Sequence, residues 1–552
     1  MTLYRKLVLG CALFIFAFSS GAQEALKGAT EEYCDILSLS GIGSRPTLGY
    51  RTLSDSVWNL TAATDNDTAA RQHPWECNSL GTTQLINDNK NLSWKLFAPE
   101  WYNSYNAAMP YGQNDGALWQ GKGYNTSLSA GARIAAYGVE LTIKPQISFS
   151  QNADFTMLPS AYDSKYGYFW GYANNIGIDM PQRFGDRPFY TFDWGDTEIR
   201  YSWHSLTLGF GTQSPWIGPA WLNPILGGNN AGTYPKLDIG LRRQSVVVPF
   251  QNWYLGDIEA RMWIGYLSES DYFDDNGSNN HNRLNGFTFS YAPSFLPGLT
   301  MGATKVCLSK WGDFQWNYLN PLYDGNTVDS AIGEDQKASV YLSWLLPKAG
   351  MEIYGEAGID DYLQGGMIKG LMRYPFDSLL YTVGLKKAFV LSEEKNVSGE
   401  LIVECSDMEE PRNRISAKEA YAFNMHYQVS QGYSNRGQAI GTALANGGNS
   451  QLIQFTLYYP KGSTSLSVQR TNPDDTYSYT RLSNLNNTYK SCCIVGLNDR
   501  YFLTRNLQVF GGVDINYIIN PLYYQQNAAG DIIETGTLIS PRMTLGLTYN
   551  FF

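Results

Sequence analysis

The chain has 552 residues, 16% of them charged, with 39 Tyr, 25 Phe, 15 Trp and 54 Gly, and a formal net charge of −10. That acidic balance excludes nucleic acid as a partner, because such binding calls for clustered Lys and Arg. After Gln23 no apolar stretch approaches the ~20 residues of a membrane-crossing helix, which excludes a helical membrane protein.

In chain order, Arg5 and Lys6 precede an apolar run over residues 7–18, and Ser20-Gly21-Ala22 follows. This pattern predicts a cleaved export signal over residues 1–22. Export places the cysteines beyond Cys11 in an oxidising compartment, where Cys34 with Cys77 is the expected bridge if any forms. Residues 23–115 are rich in Gly, Ser, Thr, Asp and Asn and show no sustained alternation or convincing helical period. They are expected to form a separate periplasmic or plug segment.

From about residue 120 to the end the dominant signal is period-two alternation, the mark of strands with two different faces, and residues 116–552 are expected to form one barrel. Leu128, Ala130, Ala132 and Ile134 alternate with Ser129, Gly131 and Arg133; a turn at Tyr137-Gly138 follows, and Val139, Leu141 and Ile143 then alternate with Glu140, Thr142 and Lys144. The pattern returns near residues 206–210, 258–266, 287–291, 299–303, 351–359, 453–459 and 507–517. Glu140, Lys144, Glu259, Arg261, Glu352 and Glu356 fall on the polar face. A barrel with a hydrated lumen and a lipid-facing exterior accounts for both faces. At 9–11 residues per membrane strand, plus turns and loops, roughly 16–18 strands fit. Outer loops are expected at 152–201, 215–237, 268–283 and 472–490.

The last strand, 544–551, sets Leu545, Leu547, Tyr549 and Phe551 on one face, with Gly546 between them. Gly546, Tyr549 and Phe551 resemble the terminal signal read by the barrel assembly machinery of outer membranes. The fold class is therefore mainly β: a transmembrane up-and-down antiparallel barrel in the outer membrane of a Gram-negative-type bacterium. Outer-membrane lipid is its surroundings.

Three stretches resemble the Wzi family of capsule-assembly outer-membrane proteins. They are Asn114-Asp115-Gly116-Ala117-Leu118-Trp119-Gln120-Gly121-Lys122-Gly123, then Phe210-Gly211-Thr212-Gln213-Ser214-Pro215-Trp216-Ile217-Gly218-Pro219, then Gly432-Tyr433-Ser434-Asn435-Arg436-Gly437-Gln438-Ala439-Ile440-Gly441. Ile217 stands where some members carry a second Trp. The resemblance implies a barrel of about 18 strands acting as a lectin for capsular or exopolysaccharide.

Sugars present C–H faces and hydroxyl rims, so they suit flat aromatic rings beside amides and charged groups. Trp170 and Tyr172, near Asn174, Asn175 and Asp179, fit that description. So do Trp216 and Trp221, just before Asn223, Asn229 and Asn230. Arg436, with Gln438 beside it, offers a bidentate partner for an acidic sugar. The acidic stretch Asp271, Asp274, Asp275 and Asn276 lacks the closing Glu of an EF-hand. No cofactor or metal motif is legible. His204 has no serine on its own strand face to complete a triad, so no enzyme is expected. A porin-like channel for solutes is the alternative reading.

Overall fold

In a computed structural model, the chain is described for residues 28–52, 58, 73–81, 84–86, 91–158, 160, 164–167, 177–274, 276–321, 333–360, 372, 379–409, 423–426, 428–474, 477, 489–526 and 532–551. The expected export segment, Trp170, Tyr172 and Asp275 lie outside them.

Eighteen antiparallel strands close into a barrel. Each pairs with the next in sequence, and Thr537–Tyr549 shuts the cylinder against Leu92–Asn106, from Arg542 opposite Asn106 to Thr548 opposite Glu100. Two strands are broken in the middle: Val139–Ile143 continues as Gln146–Ser150 past Pro145, and Phe189–Asp193 continues as Glu198–Trp203. The expected alternation is realised in three dimensions. In Met351–Asp360, Glu352, Tyr354 and Glu356 are buried toward the lumen, whereas Ile353 faces outward, as do Leu128, Leu208, Ile239, Val340, Ile453 and Leu545 on other strands. An apolar outer band over a polar interior is the requirement for crossing lipid with strands. No helix of the described residues is long and apolar enough to cross a membrane.

The barrel begins earlier than the boundary at 116. Leu92–Asn106 is a full wall strand whose register slips between Phe97 and Glu100. That bulge reverses the phase: Lys95 and Phe97 point inward before it, while Trp101 and Tyr105 point outward after it. A reading by strict alternation loses the strand at the slip. Residues 23–115 also hold a helix, Ala29–Leu39, contrary to expectation. Its residues Tyr33, Ile36 and Leu37 are buried, but so are Glu31, Asp35 and Ser38. A helix surrounded by a polar wall has no apolar stripe to betray it. The expected Cys34–Cys77 bridge does not form: both are free thiols, Cys34 buried in this helix and Cys77 exposed.

Tight turns such as Tyr137-Gly138 and Pro460-Lys461 lie at one end, the periplasmic end of a barrel of this kind. The helix plugs that end. Tyr33 stacks on Trp75 at 4.2 Å, and Trp75 meets Tyr458 and Phe502 edge-on at 5.7 and 5.2 Å. Trp75 Nε1 donates to the Gly462 carbonyl at 2.9 Å.

The loop expected to point outward at 215–237 instead turns into the lumen. Pro215–Ile217 pairs there with Tyr50–Thr52 from the N-terminal segment. Wall carboxylates hold both pieces by their backbones. Glu259 accepts the amides of Leu48, Gly49 and Tyr50 at 3.0, 3.2 and 2.8 Å. Glu356 accepts Ala220 and Ile225, each at 3.0 Å. Glu404 accepts Trp221 at 2.6 Å and Asn223 at 2.9 Å, along with the Tyr354 hydroxyl at 2.8 Å. Gly218 lies so close to Glu356 that a β-carbon would strike the carboxylate, and its φ of +88° favours glycine as well. Arg45 grips Glu352 with both terminal nitrogens at 2.6 and 2.7 Å and reaches Asp35 at 2.8 Å. Above these clamps Ile217, Ile225 and Leu226 pack with Tyr433, Ile440 and Leu444 against wall residues Trp263, Leu284, Val306 and Leu308.

Glu404→Ala strands several buried donors at about 1–3 kcal/mol each. Amide exchange at Trp221, Leu222 and Asn223 should then accelerate by about a hundredfold. The gel shift between boiled and unboiled protein should persist, because the wall strands keep their pairing. Unchanged exchange at those amides would refute the clamp.

Candidate functional site

The expected site residues separate into three groups. Trp216 and Trp221 belong to the inserted loop and are buried. Trp216 is 0% exposed and donates through Nε1 to the Ala220 carbonyl at 3.0 Å. The Lys386 ammonium lies 5.1 Å from the Trp221 ring centroid. Both rings are packing residues of the plug, and neither presents a face on which a sugar can stack. Trp170 and Tyr172 fall outside the described residues.

Arg436 and Gln438 form the second group, on a small hairpin that pairs Ser434–Asn435 with Gln438–Ala439. Arg436 and Gly437 make its turn, both at positive φ, +51° and +80°, as a two-residue hairpin with the twist of its strands requires. The hairpin is fixed from below: the Arg436 amide donates to the Ser268 carbonyl at 2.7 Å, and Asn435 Nδ2 donates to the Gly232 carbonyl at 3.0 Å. The Arg436 side chain itself remains 48% exposed, 3.6 Å from buried Asp193. Gln438 is half-buried. The Gly437 turn abuts Phe184 and Pro181. Phe184 leads a chain of rings, 4.9 Å from Trp119 and 5.8 Å from Tyr272, which in turn meets Tyr166 at 5.4 Å. Lys165 and Asp186 pair beside them at 2.6 Å. Rings, a half-free guanidinium beside Asp193 and an exposed ion pair are thus gathered around this hairpin, a mixture of the kind that suits carbohydrate.

Gly546, Tyr549 and Phe551 are the third group. Gly546 lies under the Phe510 ring, which fills the space a side chain would need. Tyr549 and Phe551 meet edge-on at 5.3 Å on the outward face. His204, expected within a strand, occupies the tight turn between Glu198–Trp203 and Leu206–Gly211 at φ +53°.

Two features were not singled out from sequence. The first is Glu404, whose signal was an acid standing among Leu401, Ile402 and Val403. The second is a polar cavity of about 260 Å³ between plug and wall. It extends from Arg500 and Asn550 near the turn end up to Asp193 and Asn229, past Glu31, Lys95 and Lys144. Asp193 closes its upper end by accepting from the Thr233 hydroxyl and amide.

The outer hairpin rests on a buried acid. Asp179 accepts from the Ser270 amide and hydroxyl at 2.6 and 2.7 Å, and its own amide donates to the Gln431 carbonyl at 2.9 Å. Burial raises its pKa to about 7 against the opposing Ser270 bonds. Burial, helped by Asp274 and Asp179, raises neighbouring Glu269 to about 9. Acids raised in the folded state favour it most below their ordinary range near 4, and this contribution is lost as pH climbs through about 7 and about 9. Amides at 268–272 and 431–437 should therefore be better protected at pH 5 than at pH 8, after correction for intrinsic exchange. Asp179→Asn should reduce the difference and leave the part that Glu269 contributes; protection that increases with pH would contradict the assignment.

No protein-family model matches the chain, and no curated protein matches it. Among solved structures it is similar to Escherichia coli Wzi, an outer-membrane protein involved in group 1 capsule assembly and a carbohydrate-binding β-barrel. The two share 11% identity at a TM-score of 0.55, over 82% of this chain and 85% of that one. It is also similar to Pseudomonas putida OprB, at 10% identity and a TM-score of 0.36 over 83% and 94% of the two chains. A porin mutant of Rh. blastica matches at 11% identity and a TM-score of 0.32, over 83% and 100%. The likeness to Wzi shows the fold: this chain is a β-barrel of the outer membrane.

Proposed function

We propose that this barrel is a non-enzymatic lectin that retains capsular or exopolysaccharide at the cell surface. The observation that carries the reading is the filled lumen. The N-terminal segment and two inward loops pack into one apolar core across it, clamped by Glu259, Glu356 and Glu404. A barrel sealed in this way works through its outer surface. There Arg436 supplies a charge for acidic sugars, and Tyr166, Phe184 and Tyr272 supply ring faces and edges. Trp170 and Tyr172, which lie between Tyr166 and Phe184 in sequence, are proposed as further sugar contacts. The carbohydrate binding of E. coli Wzi agrees with this reading. Gly546, Tyr549 and Phe551 are proposed as the signal through which the assembly machinery inserts the barrel.

The polar cavity beside the plug favours one rival, a narrow channel for small solutes. The two readings separate in planar bilayers, where a lectin with a sealed lumen gives no stable open pore. Deleting the gene should release polymer into the medium without stopping its synthesis. Surface polymer that stays in place would reject the lectin. With purified protein and an acidic polysaccharide, Arg436→Ala should weaken binding by about tenfold, the worth of one charge-assisted contact.

A further inference from the structure

On three neighbouring strands, His281–Pro293, Leu299–Lys310 and Glu334–Leu346, the outward face changes character along its height. Nearer the turns it reads as a lipid-facing wall. Tyr291 lies beside Met301, and Met301 beside Leu342; Phe289 lies beside Ala303, and Ala303 beside Val340. Higher up, the same face carries Asn285, Cys307 and Gln336 in one row and Arg283, Ser309 and Glu334 in the next. Polar groups in that register would meet lipid, yet Arg283, Asn285, Cys307 and Ser309 are buried.

What covers them is the chain itself. After Lys310 the backbone folds down over the outside of the wall. Arg283 donates to the carbonyls of Trp311 and Asp313 at 3.2 and 2.8 Å, and its guanidinium lies 4.8 Å from the Phe314 ring centroid. The short helical turn Trp316–Leu319 then brings Tyr318 and Leu319 over Asn285, Cys307 and Gln336. The other side of this flap is aromatic and uncovered. Trp316 is 79% exposed, Trp311 46% and Phe314 41%. Trp311 also meets Tyr266, an outward ring of the adjoining strand, edge-on at 4.7 Å, so the flap continues the lipid-facing surface.

We propose that residues 311–321 form a lipid-binding saddle on the outside of the barrel, with Trp311, Phe314 and Trp316 seated at the boundary between acyl chains and headgroups of the outer leaflet. Two constraints set that depth. Irregular backbone facing lipid is not tolerated in the hydrocarbon core, so the flap cannot lie deeper. Tryptophan concentrates where one side of the ring is greasy and the other wet, so the rings do not stand clear of the membrane.

The test uses the full-length barrel in vesicles of phosphatidylethanolamine and phosphatidylglycerol. Trp316→benzoylphenylalanine is photolysed, with the same replacement at exposed Asn276 in an outer loop as the comparison. Mass spectrometry should find lipid adducts at 316 several-fold more often than at 276. Equal yields at the two positions would overturn the saddle, as would crosslinks from 316 to a second copy of the chain. Heat-dependent gel mobility verifies folding. As a milder variant, Trp316→Phe should remove part of the quenching by lipids brominated near the headgroup; an unchanged quenching profile would overturn the proposal as well.

Discussion

A closed ring of strands with polar groups on its inner face must satisfy those groups with water or with protein. Here protein does most of it. Glu259, Glu356 and Glu404 each present a carboxylate to consecutive or nearby backbone amides of an inserted segment. A carboxylate accepting several amides needs no matching cation, and it fixes the path of the main chain without specifying its side chains. Lumenal charges left over are matched on the wall. Arg200 sits between Glu198 and Asp238 at 2.7 and 2.6 Å, and Lys337 between Asp335 and Asp360 at 2.7 and 2.8 Å. Removing one partner from such a buried set leaves an uncompensated charge, which costs about 3–5 kcal/mol.

The clamps also explain how the outer surface comes to be ordered. The loop pinned at Ala220 to Ile225 supports the hairpin that carries Arg436, through Asn230 Nδ2 donating to the Gly441 carbonyl at 2.6 Å and Asn435 reaching Gly232. The exposed guanidinium therefore stands on a continuous column of protein that reaches down to the wall. A binding residue held from below loses little freedom when a ligand arrives, which favours affinity.

The barrel was legible in the sequence because a period of two survives wherever one strand face meets lipid and the other does not. It failed to show where that contrast was altered. The slip at Ala98-Pro99 reversed the phase of Leu92–Asn106, and the interruption at 194–197 concealed Glu198–Trp203 inside an expected loop. The helix Ala29–Leu39 escaped notice because Asp35 and Ser38 are as buried as Ile36. Composition marked Trp216 and Arg436 alike as sugar contacts. Only packing distinguishes them: Trp216 is fully buried in the plug, whereas the Arg436 side chain is 48% exposed.

The N-terminal segment has a consequence for how the molecule is made. Its Arg45 meets Glu352 across 307 residues of chain, and the seam that shuts the ring joins Tyr102 to Arg542 across 440. Gathering ends that far apart costs about 5 kcal/mol of chain entropy for each, so neither contact forms early or alone. Filling the barrel and sealing it both rest on contacts of long sequence separation, the kind whose chain entropy must be met before they give anything back and which therefore make folding slow.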